Sequence, residues 1–224
     1  MIALFDLDGT LTDPKAGITR SIQYALDKLG RRVPEPDELT WMIGPPIFTG
    51  FAELLGGTED VQDAVRLYRE RYSDVGLFEN EVYAGIPALL QDLREKDVRL
   101  YVATAKLQAF ALRILDHFDL SRFFDRIYGS ELDNRNADKR DLIRHILEQE
   151  RFDPAGAAMI GDRKHDAIGA KANGLASIGV TWGYGSRQEL IDAGVACLVD
   201  EPQGLVAPIL TLTAATRPRP AATA

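Results

Sequence analysis

Ile2-Ala3-Leu4-Phe5-Asp6-Leu7-Asp8-Gly9-Thr10 stands at the start of the chain: four apolar residues run straight into two carboxylates, a glycine and a hydroxyl. An unbroken apolar run of this length reads as a strand buried on both faces, as in a parallel sheet covered by helices. Ligands of open α/β sheets bind beyond the carboxyl ends of the strands, which is where Asp6 stands. Two carboxylates this close repel each other unless a cation or a proton relieves them, and Gly9 lets the backbone turn sharply. The plainer reading, a strand closed by an acidic turn, accounts for Asp8-Gly9 but not for all five residues together.

Further along, apolar runs at 100–103, 157–160 and 177–180, with weaker ones at 126–128 and 196–199, repeat the strand pattern. Between them, Phe110, Ile114, Leu115 and Phe118 form one stripe at helical spacing, and Leu142, Ile143, Ile146 and Leu147 form another. Strand alternating with helix predicts an α/β fold, with a Rossmann-like parallel sheet core flanked by helices.

That alternation begins only near residue 82. Before it, Asp13-Pro14 reads as a helix start, with Asp as N-cap and Pro at the first helical position. Ile18, Ile22, Ala25, Leu26 and Leu29 then recur at helical spacing up to Gly30, and a second helix is expected after Thr58 with Val61, Val65, Tyr68 and Tyr72 on one face. Pro34, Pro36, Pro45 and Pro46 divide the segment. The expected organisation is a core of residues 1–14 and 82–210, an inserted α-helical domain at 15–81, and a disordered tail at 211–224.

The chain has 224 residues, 26 basic and 34 acidic, for a net charge of −8. That balance argues against nucleic-acid polymers as partners, which call for a basic surface. No apolar run approaches the roughly 20 residues of a membrane helix, so no membrane partner is expected. The single cysteine, Cys197, excludes an internal disulfide and a multi-cysteine zinc site and is expected in the core. With no signal-peptide pattern at the N-terminus, a reducing, cytoplasmic setting is expected.

Three more elements fall at predicted strand ends. Thr104 closes the run before Ala105-Lys106, Lys139 stands at a helix start, and Gly161-Asp162-Arg163-Lys164-His165-Asp166 places two carboxylates four residues apart. Singly each has an ordinary explanation, a cap or a solvent-facing charge. Together they set carboxylates, a hydroxyl and an ammonium along one sheet edge, the parts needed to handle a phosphoryl group.

The order Asp-x-Asp-Gly-Thr, Thr, Lys, Gly-Asp-x-x-x-Asp resembles the four motifs of the haloacid dehalogenase superfamily, and the helical insert resembles its C1 cap. The likeness spans roughly residues 2–205. The stretches 76–83, 129–133, 161–166 and 183–186 are similar to phosphatases of the 5′-nucleotidase type, near relatives of phosphoglycolate phosphatase. The resemblance implies a Mg2+-dependent phosphomonoester hydrolase acting on a small phosphorylated metabolite or nucleotide. Asp6 would be the nucleophile and Asp8 the general acid and base, while Thr104 and Lys139 would hold the phosphoryl oxygens. Mg2+ would take Asp6, the Asp8 backbone carbonyl and Asp162, with Asp166 holding a metal-bound water or Lys139. Arg163 and Lys164 would belong either to the field around the phosphate or to solvent.

Departures from that pattern bear on the substrate. The loop 43–51 keeps Gly44-Pro45-Pro46 and Phe51 but carries Phe48-Thr49-Gly50 where relatives place a basic, an acidic and a small polar residue. Gly44, Phe48 and Ala105 (a Ser or Asn in relatives) are accordingly the expected substrate-binding positions, Phe48 as an apolar or stacking face unless it simply packs in the cap. His165 reads as structural, and Gly183-Tyr184-Gly185 lacks the third glycine of a dinucleotide fingerprint. A phosphomutase, a dehalogenase and a non-enzymatic phospho-acceptor domain are the alternatives. The dehalogenase has no use for Asp8, and a receiver-type acceptor places its Asp on a third strand and lacks a cap.

Overall fold

The computed structural model describes residues 1–214. Strand β1 (Ile2–Phe5) is followed by a two-residue strand β2 (Thr12–Asp13), helix α1 (Lys15–Lys28), a 3-10 segment at Pro36–Met42, helices α2 (Ile47–Leu55) and α3 (Val61–Arg71), and a π-helical turn at Tyr72–Gly76. Strand β3 (Glu81–Val82) pairs antiparallel with β2 and so closes this helical stretch at its base. Helix and strand then alternate: α4 (Ile86–Glu95), β4 (Arg99–Leu107), α5 (Gln108–His117), β5 (Arg126–Ser130), α6 (Lys139–Glu150), β6 (Ala157–Gly161), α7 (Lys164–Ala172), β7 (Ala176–Val180), α8 (Arg187–Ala193), β8 (Cys197–Val199) and α9 (Val206–Thr213).

Six strands form one parallel sheet in the order β5-β4-β1-β6-β7-β8. The chain therefore builds outward from β1 first on one side, then on the other, and the crevice at such a reversal is where α/β proteins bind ligands. Phe5 is in register with Val102 on one neighbour and Ile160 on the other, so Asp6 emerges between them. The unbroken apolar character of β1 has a direct cause. Ala3 and Phe5 enter the apolar cluster on one face of the sheet, Ile2 and Leu4 the cluster on the other.

The helices at 15–71 pack chiefly on one another, α1 against α3 and α2 against α3. Ile18, Ile22, Ala25 and Leu26 are buried, as the periodicity requires. Tyr68 stacks on Tyr72 at 5.0 Å, and Phe51 meets Tyr68 edge-on at 6.1 Å. Among the described residues no helix is long and apolar enough to cross a membrane.

Three expectations need correction. Asp13 is not the helix N-cap: pairing with β3 draws it into β2, Pro14 takes the capping position, and the Asp13 carboxylate accepts the Lys15 amide at 3.0 Å. The tail expected from residue 211 starts later, because α9 continues to Thr213, whose hydroxyl is buried against the Ile209 carbonyl; residues 215–224 lie outside the described residues. Cys197 is half-buried on the outermost strand and packs against the core from its edge.

Candidate active site

Asp6 extends β1 by one residue, its amide donating to Ile160 O at 2.9 Å. Its side chain is buried and held from one side: Oδ1 accepts the Leu7 amide at 2.8 Å and pairs with Lys139 Nζ at 2.9 Å. Oδ2 accepts no hydrogen bond from the described residues. One oxygen is thus anchored and the other is left for chemistry.

Lys139, at the first position of α6, is equally buried. Its ammonium donates to Ala103 O at 2.7 Å and Asp166 Oδ1 at 2.6 Å and forms an ion pair with Asp6 Oδ1 at 2.9 Å. Burial works against its charge, but Asp166 and Asp6 outweigh that and raise its pKa. Asp166 is held in turn, Oδ1 by Lys139 and Oδ2 by the Arg163 amide at 3.2 Å. Burial pushes its pKa to about 6 against the pull of Lys139.

Asp162 directly follows β6 and is fully buried. Oδ1 accepts from the Thr10 hydroxyl at 3.3 Å and Oδ2 from the Tyr184 amide at 2.7 Å. Burial, then Asp6 and Asp166, raise its pKa well above the ordinary carboxylate range. One oxygen each from Asp6, Asp162 and Asp166 falls within 4.8 Å of the others, an all-oxygen cluster whose charge Lys139 offsets only in part. Such a donor set fits a hard divalent cation.

Asp8 faces the other way. Its Oδ2 pairs with Lys106 Nζ at 2.9 Å, while Oδ1 is buried with no partner among the described residues. Burial raises the Asp8 pKa, with Lys106 opposing. Thr104 is not at the strand end expected: it lies inside β4, at the register shift that follows Ala103, and the strand pairs again at Leu107. It is buried, and its Oγ accepts the Lys106 amide at 3.2 Å, which leaves the hydroxyl proton to donate.

A cavity of about 60 Å3 opens beside Asp8, between the sheet edge and the helical insert. Gly44, Pro45, Pro46 and Ile47 wall it from the insert, Ala105 and Lys106 from the core. A second cleft, on the far side of the 44–49 loop, is lined by Gly44, Thr49, Ala105, Lys139 and His165. Gly44 and Ala105 thus border both spaces. Phe48 borders neither: it is half-buried against the apolar cluster that the insert shares with one face of the sheet, while Ile47 takes the wall position.

Two features escape a reading by motif. Lys106, 5% exposed, reaches Asp8, the Tyr72 hydroxyl and the face of the Tyr72 ring, so it joins the core to the insert. Only the fold shows this, because Tyr72 is 34 residues away along the chain. Gly183 and Gly185 press their backbones onto Asp162, leaving no room for a Cβ at either position. Arg163, expected near the phosphate or in solvent, is buried and points to the insert, whereas Lys164 is exposed.

A six-stranded parallel sheet flanked by helices, with buried carboxylates at its point of reversal and a helical stretch inserted after its first strand, defines an α/β protein of the Rossmann-like class. A sequence profile described as haloacid dehalogenase-like hydrolase matches residues 3–180. The chain is 50% identical over 188 residues to a 5′-nucleotidase of Pseudomonas aeruginosa, covering 84% of this chain and 85% of that one. It is 42% identical over 191 residues to the tyrosine-protein kinase PtkA of Mycobacterium tuberculosis, covering 85% of this chain and 65% of that protein. A crystal structure of a predicted phosphatase from Clostridium acetobutylicum superimposes with a TM-score of 0.91 at 44% identity, covering 94% of this chain and 98% of that one. The chain belongs to the haloacid dehalogenase-like hydrolases, and within them it is a phosphatase.

Proposed function

We propose that this phosphatase hydrolyses phosphomonoesters through an aspartyl-phosphate, with residues 15–81 acting as a cap over a core of residues 1–14 and 82–210. The observation that carries the reading is the asymmetry of Asp6: one oxygen is pinned by Leu7 and Lys139, and the other is unengaged. Asp6 Oδ2 attacks phosphorus, the bond from phosphorus to the ester oxygen breaks, and Asp8 gives its proton to the departing alkoxide. Asp8 then takes a proton from water as that water attacks phosphorus, the bond to Asp6 breaks, and inorganic phosphate leaves. The buried, partnerless Asp8 Oδ1 beside the cavity suits a group that meets the leaving oxygen. Thr104 donates its free proton to a phosphoryl oxygen, and Lys139 offsets charge building there.

Asp6, Asp162 and the Asp8 backbone carbonyl would hold Mg2+, with Asp166 behind them keeping Lys139 in place. Bound Mg2+ supplies charge that screens the anionic ester from the carboxylate nucleophile.

For the leaving group, a 5′-nucleoside is our first reading, supported by the 50% identity to a 5′-nucleotidase. A second reading, a compact phosphoester such as phosphoglycolate, is supported by the 26% identity over 214 residues to phosphoglycolate phosphatase 1 of Pseudomonas aeruginosa. The test is phosphate release across nucleoside monophosphates, phosphoglycolate, sugar phosphates and phosphotyrosine. The expected result is turnover that needs Mg2+, is abolished by EDTA, and falls at least about 1,000-fold in Asp6→Asn. Full activity in that variant would remove Asp6 as nucleophile.

A further inference from the structure

Arg163 stands between Asp162 and helix α7, yet its side chain serves neither the carboxylates nor solvent. It crosses to the helical insert. Nη1 donates to Ile43 O at 2.5 Å and approaches Trp41 O at 3.4 Å, while Nε donates to Glu189 Oε1 at 3.0 Å. The residue is 9% exposed. Both carbonyls belong to the end of the 3-10 segment, where backbone acceptors are left without partners in their own helix. Glu189 is itself fixed, since it accepts the Lys164 amide at 2.9 Å and its own amide is capped by Ser186 at 3.0 Å.

The path is built for this side chain. Gly44 sits at φ +103°, and a Cβ on it would lie 2.9 Å from Arg163 Cγ. Gly185 clears the other side, where a Cβ would stand 3.3 Å from Arg163 Cδ. The guanidinium alone joins two directions at once, with Nε on a carboxylate and Nη on a carbonyl; a lysine has one point charge to offer. Ile43 leads directly into Gly44, Pro45, Pro46 and Ile47, the wall of the cavity beside Asp8. Arg163 thus ties the loop of Asp162 to the loop that closes over the leaving group.

We infer that Arg163 is a positioning residue, a latch that holds the 43–47 loop shut over the phosphoryl site, anchored from behind by Glu189. It rests on reading residues 15–81 as a cap, and its first readout needs no turnover. In Arg163→Met, backbone amides in a peptide spanning 41–50 should exchange with deuterium at least about tenfold faster, while those of β1 and β6 keep their protection. KM should rise about tenfold, with kcat changed less than about threefold. Arg163→Lys should recover part of both effects, and Glu189→Gln should show a weaker form of them. Should Arg163→Met lose protection throughout the protein, Glu189→Gln carries the comparison by the same two measurements. Unchanged exchange at 41–50, or a fall in kcat at constant KM, overturns the latch. An absence of Mg2+-dependent phosphate release from the wild type would instead count against the proposed function, and the exchange result would stand apart from it.

Discussion

Lys139 shows how little freedom the site leaves to its parts. Two hydrogen bonds and an ion pair hold it, so the ammonium is aimed before any ligand arrives and no reorientation is needed during reaction. The glycines around Asp162 belong to the same economy of space. A methyl group at Gly183 would overlap both Gly9 O and the Asp162 side chain, whereas one at Gly57 would meet nothing within 4 Å. Gly183→Ala is therefore expected to cut phosphate release at least about tenfold and lower the melting temperature. Gly57→Ala should stay within about 0.5 kcal/mol of wild type in urea unfolding. The glycines at 183 and 185 are visible in the sequence, but their reason is not, because the atoms they admit, of Asp162 and Gly9, belong to other loops of the chain.

Elements are tied together far from the site as well. Glu150, the last residue of α6, accepts the Tyr101 hydroxyl of β4 at 2.8 Å and the Tyr128 hydroxyl of β5 at 2.6 Å, with Arg99 and Arg126 at 3.2 and 3.3 Å. Burial favours the protonated acid, but the two hydroxyls and the two guanidinium charges outweigh it and hold its pKa below the ordinary 4.5. A carboxyl pKa lower in the folded chain than in the unfolded one adds stability above the unfolded value, which is lost as pH falls through the folded one. Glu150→Gln should accordingly cost about 1–2 kcal/mol near neutral pH. Urea midpoints measured at about pH 4 should show a smaller difference. Periodicity located α6 and both strands, yet it gave no sign that one carboxylate fastens all three.

Across the whole molecule, the stability of the core and the demands of the site oppose each other. Asp6, Asp162 and Asp166 are buried at the meeting point of β1 and β6, against one lysine. Excess buried negative charge destabilises the metal-free protein and creates affinity for a cation. Mg2+ is expected to raise the melting temperature in a concentration-dependent way. Asp162→Asn should melt higher than wild type without Mg2+ and lose the Mg2+-dependent rise; a scanning-fluorimetry titration of both proteins checks this. The net charge of −8 hides that balance, because four of the 34 acids, Asp6, Asp8, Asp162 and Asp166, crowd the site while the rest are spread over the chain.

Local pattern was enough for the parallel sheet, the helical insert and the motif residues at the strand ends. Burial on both faces of a strand writes an unbroken apolar run, burial on one face of a helix writes a 3.6-residue period, and a site at the sheet edge must follow each run directly. Contacts between distant segments leave no such period. Lys106 on Asp8 and Tyr72, Arg163 beneath the 43–47 loop, Ile47 rather than Phe48 at the cavity wall and the pairing of Asp13 into β2 were decided by how the insert sits on the core. Each depends on where two remote stretches of backbone meet in space, which neighbouring residues do not encode.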